Sequence, residues 1–191
     1  MRVIAGKAKG HKLKTIEGLQ TRPTTDRMKE TLFNVISFDL PQCRFLDLFA
    51  GSGAIGIEAL SRGAKNCVFV ENSKEACHMI DENLKHTKLQ NAVILQKDVL
   101  DALLFLKQQK FDIIFLDPPY QSDLAIPVCH KIVEYGLLEK QGYLIWERSA
   151  EMEMPFISGL NMVKEKKSKT TVMTFLMLEE EYDKSNLCRE F

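Results

Sequence analysis

Asp47-Leu48-Phe49-Ala50-Gly51-Ser52-Gly53-Ala54-Ile55-Gly56 is the stretch on which the fold turns. It closes an apolar run that begins at Arg44, passes through two glycines, and enters a helix-like stretch near 53–62. A short apolar strand delivered through a Gly-rich turn into a helix is the opening of a βαβ unit. Gly51 and Gly53 let that turn bend tightly and approach a ligand closely. Read outward, the alternation recurs. Apolar runs at Cys67–Glu71, Ala92–Gln96, Asp112–Leu116 and Tyr143–Trp146 are separated by helix-like stretches near 73–88, 99–109 and 123–135. Strands this apolar have no face for water, so they predict a parallel sheet covered by helices on both sides. Met162–Lys167 and Thr171–Leu178 follow one another without a helix, which predicts an antiparallel hairpin added to the sheet edge.

Upstream, Arg2–Ala5 and His11–Thr15 flank a turn and read as a small hairpin. Pro23 disfavours helix at Arg22, either Thr24 or Thr25 can cap one, and Met28, Leu32, Val35 and Ile36 recur at helical spacing up to Pro41. The expected organisation is a basic N-terminal hairpin over 1–21, one α/β domain over 22–178, and a tail over 179–191.

Composition narrows the function classes. The chain has 191 residues, 45% hydrophobic and 27% charged, an ordinary globular balance. No apolar run approaches the roughly 18 residues of a membrane span, and the start lacks a secretory apolar stretch, so a soluble cytoplasmic protein is expected, with monomer as the default. Five scattered cysteines without a CxxC pair and four unclustered histidines argue against disulfides and against a metal site. Zero net charge excludes a generic nucleic-acid coat, yet the charge is uneven. Residues 1–29 hold Arg2, Lys7, Lys9, Lys12, Lys14, Arg22, Arg27 and Lys29 against only Glu17 and Asp26, and a second cluster is Lys164, Lys166, Lys167 and Lys169. Such patches point to a local polyanion site, with solvated faces as the plain alternative.

In a doubly wound sheet, ligands bind beyond the carboxyl ends of the strands. The polar residues of interest fall there: Asp47 and the glycine loop, then Glu71, then Asp98, then Asp117-Pro118-Pro119-Tyr120. Gly51-Ser52-Gly53-Ala54-Ile55-Gly56 also matches the GxGxxG of nicotinamide enzymes, with Glu71 placed for a ribose. Asp47 shifts the balance, since it can face an ammonium group rather than a pyrophosphate. Asp98 suits an adenine amine. The Asp-Pro-Pro-Tyr turn has no role in hydride transfer, but it suits methylation of a planar amine. The lone pair of such a nitrogen is delocalised into its ring. Acceptors on both amine hydrogens, here the Asp117 carboxylate and the Pro118 carbonyl, draw it toward tetrahedral geometry. The prolines stiffen the turn and remove competing N–H donors. Tyr120 offers a face for a flipped base, worth ~1–3 kcal/mol.

With those residues in view, the chain resembles a class I S-adenosylmethionine methyltransferase, and closely the RsmD family, which modifies the N2 amine of one guanine in bacterial 16S ribosomal RNA. The resemblance runs from Arg2 to about Leu178 and rests on three blocks. They are Arg22-Pro23-Thr24-Thr25-Asp26-Arg27-Met28-Lys29-Glu30-Thr31-Leu32-Phe33-Asn34, Leu46-Asp47-Leu48-Phe49-Ala50-Gly51-Ser52-Gly53, and Phe115-Leu116-Asp117-Pro118-Pro119-Tyr120. It implies a Rossmann-like, mostly parallel seven-stranded sheet with an antiparallel C-terminal strand. It also implies S-adenosylmethionine, with S-adenosylhomocysteine as product, held by Asp47, Gly51, Ser52 and Gly53 at the methionine part, Glu71 at the ribose and Asp98 at the adenine, with Phe49, Ala50, Asn72 and Val99 as further cofactor-binding residues. Asp117, Pro118, Pro119 and Tyr120 would hold the target base. Arg2, Lys7, Lys9, Lys12, Arg22, Thr25 and Arg27 would seat the RNA, as part of an assembling small subunit. Three other readings stay open here: methylation of DNA adenine N6 or of a protein glutamine amide, a nicotinamide oxidoreductase, and a non-catalytic RNA-binding module.

Overall fold

The computed structural model describes residues 1–15, 26–119 and 122–179. Its strands form one sheet in the order β3-β2-β1-β4-β5-β7-β6. They are β1 (Arg44–Leu48), β2 (Asn66–Glu71), β3 (Ala92–Gln96), β4 (Phe111–Leu116), β5 (Leu138–Ser149), β6 (Leu160–Lys167) and β7 (Thr171–Leu178). All neighbouring pairs are parallel except those of β7, which runs against both β5 and β6. The expected mostly parallel sheet with an antiparallel C-terminal strand is therefore present. Strand order reverses at β1, between β2 and β4, which places a crevice at the carboxyl ends of β1 and β4.

Among the described residues five helices cover the sheet: α1 (Asp26–Val35), α2 (Ala54–Ser61), α3 (Lys74–Thr87), α4 (Val99–Phe105) and α5 (Ala125–Glu134). Side chains alternate along a strand, and the two cores show it. Phe45, Phe69, Phe115 and Ile145 pack with α1, α2 and α3 on one face. Leu46, Val70, Leu116 and Trp146 pack with α4 and α5 on the other. Helix α2 is buried on every side, as its near-continuous apolar sequence requires.

Three expectations change. Near the N-terminus the expected hairpin is reduced, among the described residues, to one antiparallel bridge between Arg2 and Lys12, with the Val3 N–H donating to the His11 carbonyl and the Leu13 N–H to the Met1 carbonyl, both at 3.0 Å. This stretch is also fastened to the core. Val3, Ala8 and Leu13 are buried in it, and the buried Glu58 carboxylate accepts the backbone N–H groups of Ile4 (2.8 Å) and Ala5 (3.0 Å). The Ala8 N–H donates to Ser61 Oγ at 3.0 Å, and Gly6 lies so near Ser61 that an added Cβ would sit 1.8 Å from its carbonyl oxygen. Lys29, counted above with the surface charges, is fully buried: its ammonium donates to the Arg2 carbonyl and lies 3.8 Å from Glu58. Finally, β5 extends well past its apolar run, because Glu147, Arg148 and Ser149 pair with Met173, Val172 and Thr171 of β7. Neighbouring backbone, rather than their own side chains, makes these polar residues a strand.

Candidate active site

Strand alternation sets the site. Asp47 lies two residues past Phe45, Glu71 two past Phe69, and Asp117 two past Phe115. All three carboxylates therefore leave the sheet on the face that carries α1, α2 and α3, at the carboxyl ends of neighbouring strands. The glycine loop runs above them. Gly51 adopts φ +55 with open space where a side chain would stand, and Gly53 adopts φ +76 just before α2. The third glycine, Gly56, has a different reason. A Cβ there would lie 2.3 Å from the Phe69 ring, so this glycine lets α2 sit directly on β2.

The carboxylates of β1 and β2 are already engaged. Asp47 is 2% exposed and accepts the Gly56 N–H in the first turn of α2 at 2.9 Å. Burial pushes its carboxyl up to about 8, helped by the nearby Asp117 and Glu71. A cation brought to it would reverse that shift. Glu71 accepts the Gly51 N–H (2.8 Å) and the Ser73 N–H (2.9 Å), so β2 fixes the glycine loop. Asp98 caps α4 by accepting the Leu100 N–H at 2.9 Å and is exposed beyond β3. Val99 beside it is buried, and Asn72 is exposed next to Glu71. Phe49 and Ala50 line the start of the loop, half-buried, with Phe49 at φ +61.

At β4 the picture differs. Pro118 is buried and Pro119 exposed, and burial holds the Asp117 carboxyl above the usual carboxylate range. Tyr120 lies outside the described residues, as do Arg22 and Thr25. Arg2, Lys7, Lys9, Lys12 and Arg27 are all exposed, with Arg2 3.3 Å from Asp26. Among the described residues no group of His, Cys, Asp or Glu is arranged to hold a metal, and no helix is long and apolar enough to cross a membrane.

Two residues at the site escaped the sequence reading. Asn83 of α3 is 1% exposed and donates to the carbonyls of Lys14 (3.1 Å) and Ser52 (3.0 Å), while accepting the Lys14 N–H at 2.8 Å. One amide thus joins the N-terminal segment to the glycine loop. A local signal existed: Asn83 occupies the buried stripe of Ala76, Ile80, Leu84 and Thr87, where an amide is out of place. The other is Glu147 of β5, 6% exposed beside the end of β4.

Comparison with known proteins agrees with this architecture. A family model described as conserved hypothetical protein 95 matches residues 1–177. The Bacillus subtilis protein YlbH is 43% identical over 83% of this chain and 88% of its own length. Ribosomal RNA small subunit methyltransferase D of Haemophilus influenzae is 35% identical over 94% of this chain and 93% of its own. The solved structure of the Escherichia coli protein yhhF superposes with a TM-score of 0.83 at 31% identity, covering 94% of this chain and 98% of that one.

Proposed function

The chain belongs to the RsmD family, the family matched under the description conserved hypothetical protein 95, and from that premise we propose that it transfers a methyl group from S-adenosylmethionine to the exocyclic N2 amine of a guanine in small-subunit (16S) ribosomal RNA. The observation that carries this reading is the half-buried Asp117 carboxylate at the end of β4, which opens the Asp-Pro-Pro turn on the same face as Asp47 and Glu71.

The residues present fit the cofactor. Asp47 is a buried carboxyl whose raised affinity for protons a cationic ligand would offset, Gly51 leaves open space over the loop, and Glu71 keeps acceptor capacity for a ribose diol. Asp98 and Val99 would border the adenine, and Asn72 the ribose. S-adenosylmethionine supplies an electrophilic methyl group on a positive sulfur. The chain supplies alignment, which is the larger part of catalysis for so reactive a donor. Asp117 and the Pro118 carbonyl hold the two amine hydrogens, freeing the nitrogen lone pair. Asp117 would also take the proton that the amine gives up, a role that its raised proton affinity supports. Tyr120 would stack on the base. The exposed Arg2, Lys7, Lys9, Lys12 and Arg27, with Arg22 and Thr25, would grip phosphates, an interaction that salt weakens.

The test offers tritiated S-adenosylmethionine with small-subunit RNA or its assembling particle, with DNA, and with total protein in parallel. Label confined to the small-subunit RNA is the expected result. Label in the DNA or protein fraction alone would overturn the substrate assignment.

A further inference from the structure

Glu147 is the one carboxylate near the site for which no role has been given. It stands one residue beyond the Leu116–Trp146 register pair, as Asp117 does on the adjoining strand, so the two acids lie side by side just past the last register pair of β4 with β5. Alternation puts both on the face of Ile145 and Phe115, the face on which Asp47 and Glu71 also stand. Across β7 its register partner is the buried Met173, which offers no hydrogen. The adjacent cation, Arg148, turns to the other face and is bound to Thr174 and Glu165. Glu147 Oε2 is sealed from solvent and has no hydrogen-bond partner among the described residues. A buried acceptor left unpaired is costly, and in a native structure it calls for a functional or structural reason.

We propose that Glu147 is a specificity-determining residue that accepts the N1–H of the guanine whose N2 amine is held by Asp117 and Pro118, and that it thereby excludes adenine. The proposal rests on the methyl-transfer reading above. The chemistry of the base edges selects this ligand. Guanine presents a ring N–H directly beside its exocyclic amine, so adjacent acceptors on β4 and β5 meet adjacent donors. Adenine and cytosine place a ring acceptor beside the amine, where an accepting carboxylate oxygen finds no hydrogen and two lone pairs face each other. A glutamine amide places its own carbonyl oxygen there. Burial and the neighbouring Asp117 push the Glu147 carboxyl up, as expected of a carboxylate that awaits donors, and N–H groups from a base would bring it back down.

The test uses small-subunit RNA ligated so that the mapped target guanine alone is replaced by 2,6-diaminopurine, which keeps the amine at C2 but carries an acceptor at N1. Wild-type protein is expected to methylate guanine about 100-fold faster than diaminopurine, the scale on which a buried acceptor rejects a mismatched partner. In Glu147→Gln the amide can donate to that N1. The guanine rate should fall about 10-fold or more and the preference collapse to within about threefold, with S-adenosylmethionine affinity by calorimetry unchanged. Equal methylation of both purines by the wild-type protein, or an unaltered preference in Glu147→Gln, overturns the proposal. The wild-type ratio decides alone if the variant does not fold. Loss of the broader reading looks different: guanine-containing RNA would take no label at all.

Discussion

The two halves of the sheet's carboxyl edge treat their carboxylates in opposite ways. On the β1–β3 side, Asp47, Glu71 and Asp98 each accept backbone N–H groups from the loop or helix that follows, at 2.8–2.9 Å. On the β4–β5 side, Asp117 and Glu147 have no such partner among the described residues, and one Glu147 oxygen is both buried and unpaired. The first arrangement fixes loops before any ligand arrives. The second stores unmet acceptors for a ligand that brings donors. On the proposed function the first would cradle the cofactor and the second would receive the amine, and that division predicts that the halves separate experimentally.

The largest effect should come from Asp117→Ala. Methyl transfer is expected to drop about a thousandfold or more, because amine orientation is lost, while S-adenosylmethionine affinity by calorimetry stays within about threefold. Equal losses in both measurements would erase the distinction between the halves. Glu71→Ala is the converse. It removes an acceptor of two loop N–H groups, so cofactor affinity should weaken about 10- to 100-fold, with kcat at saturating cofactor close to wild type. Gly56→Ala should act on the fold rather than on either half. A Cβ 2.3 Å from Phe69 and 2.6 Å from Cys67 Sγ must displace α2 from β2, costing about 1–3 kcal/mol, read as a lower Tm.

The smallest effect is on stability against pH. Burial raises the Asp47 carboxyl to about 8 in the folded protein, against roughly 3.9 in an unfolded chain. The folded state thus binds this proton more tightly, and stability falls as pH rises between those values. Asp117 and Glu147 are shifted in the same direction. The ligand-free protein should therefore lose about 2–5 °C of Tm between pH 5 and pH 8 in scanning calorimetry. Asp117→Asn should flatten that slope. A Tm that rises over this range would contradict the buried-acid account of both halves.

What could be read from the sequence divides along similar lines. The glycine loop and the Asp-Pro-Pro turn were legible because each is a local device: glycine for a positive φ, proline for a rigid turn, a carboxylate at a strand end. The alternation of strands and helices was equally local. Glu147 was not legible. It follows the apolar run Tyr143–Trp146 as though the strand had ended, and only pairing with β7, more than 20 residues on, carries it into the interior. Lys29 misled for a related reason. It sits in the buried stripe of α1 beside Met28, Leu32 and Phe33, but a lysine in that place reads as surface charge until its partner Glu58 is known. The N-terminal segment read as a hairpin because its ends are strand-like, whereas much of what holds it is a carboxylate and a hydroxyl on α2 more than 50 positions away.

That last attachment has a consequence for how such a protein can diverge. Glu58 and Ser61 grasp residues 4–8 by main-chain groups, which are the same whatever side chain is attached. Lys7, between the anchored positions, and Lys9, just beyond them, are exposed and contribute no side chain to that attachment. The segment is a rewritable surface on a fixed mount. Its outward residues can be exchanged, by lineage or by design, while the carboxyl edge beneath keeps its geometry.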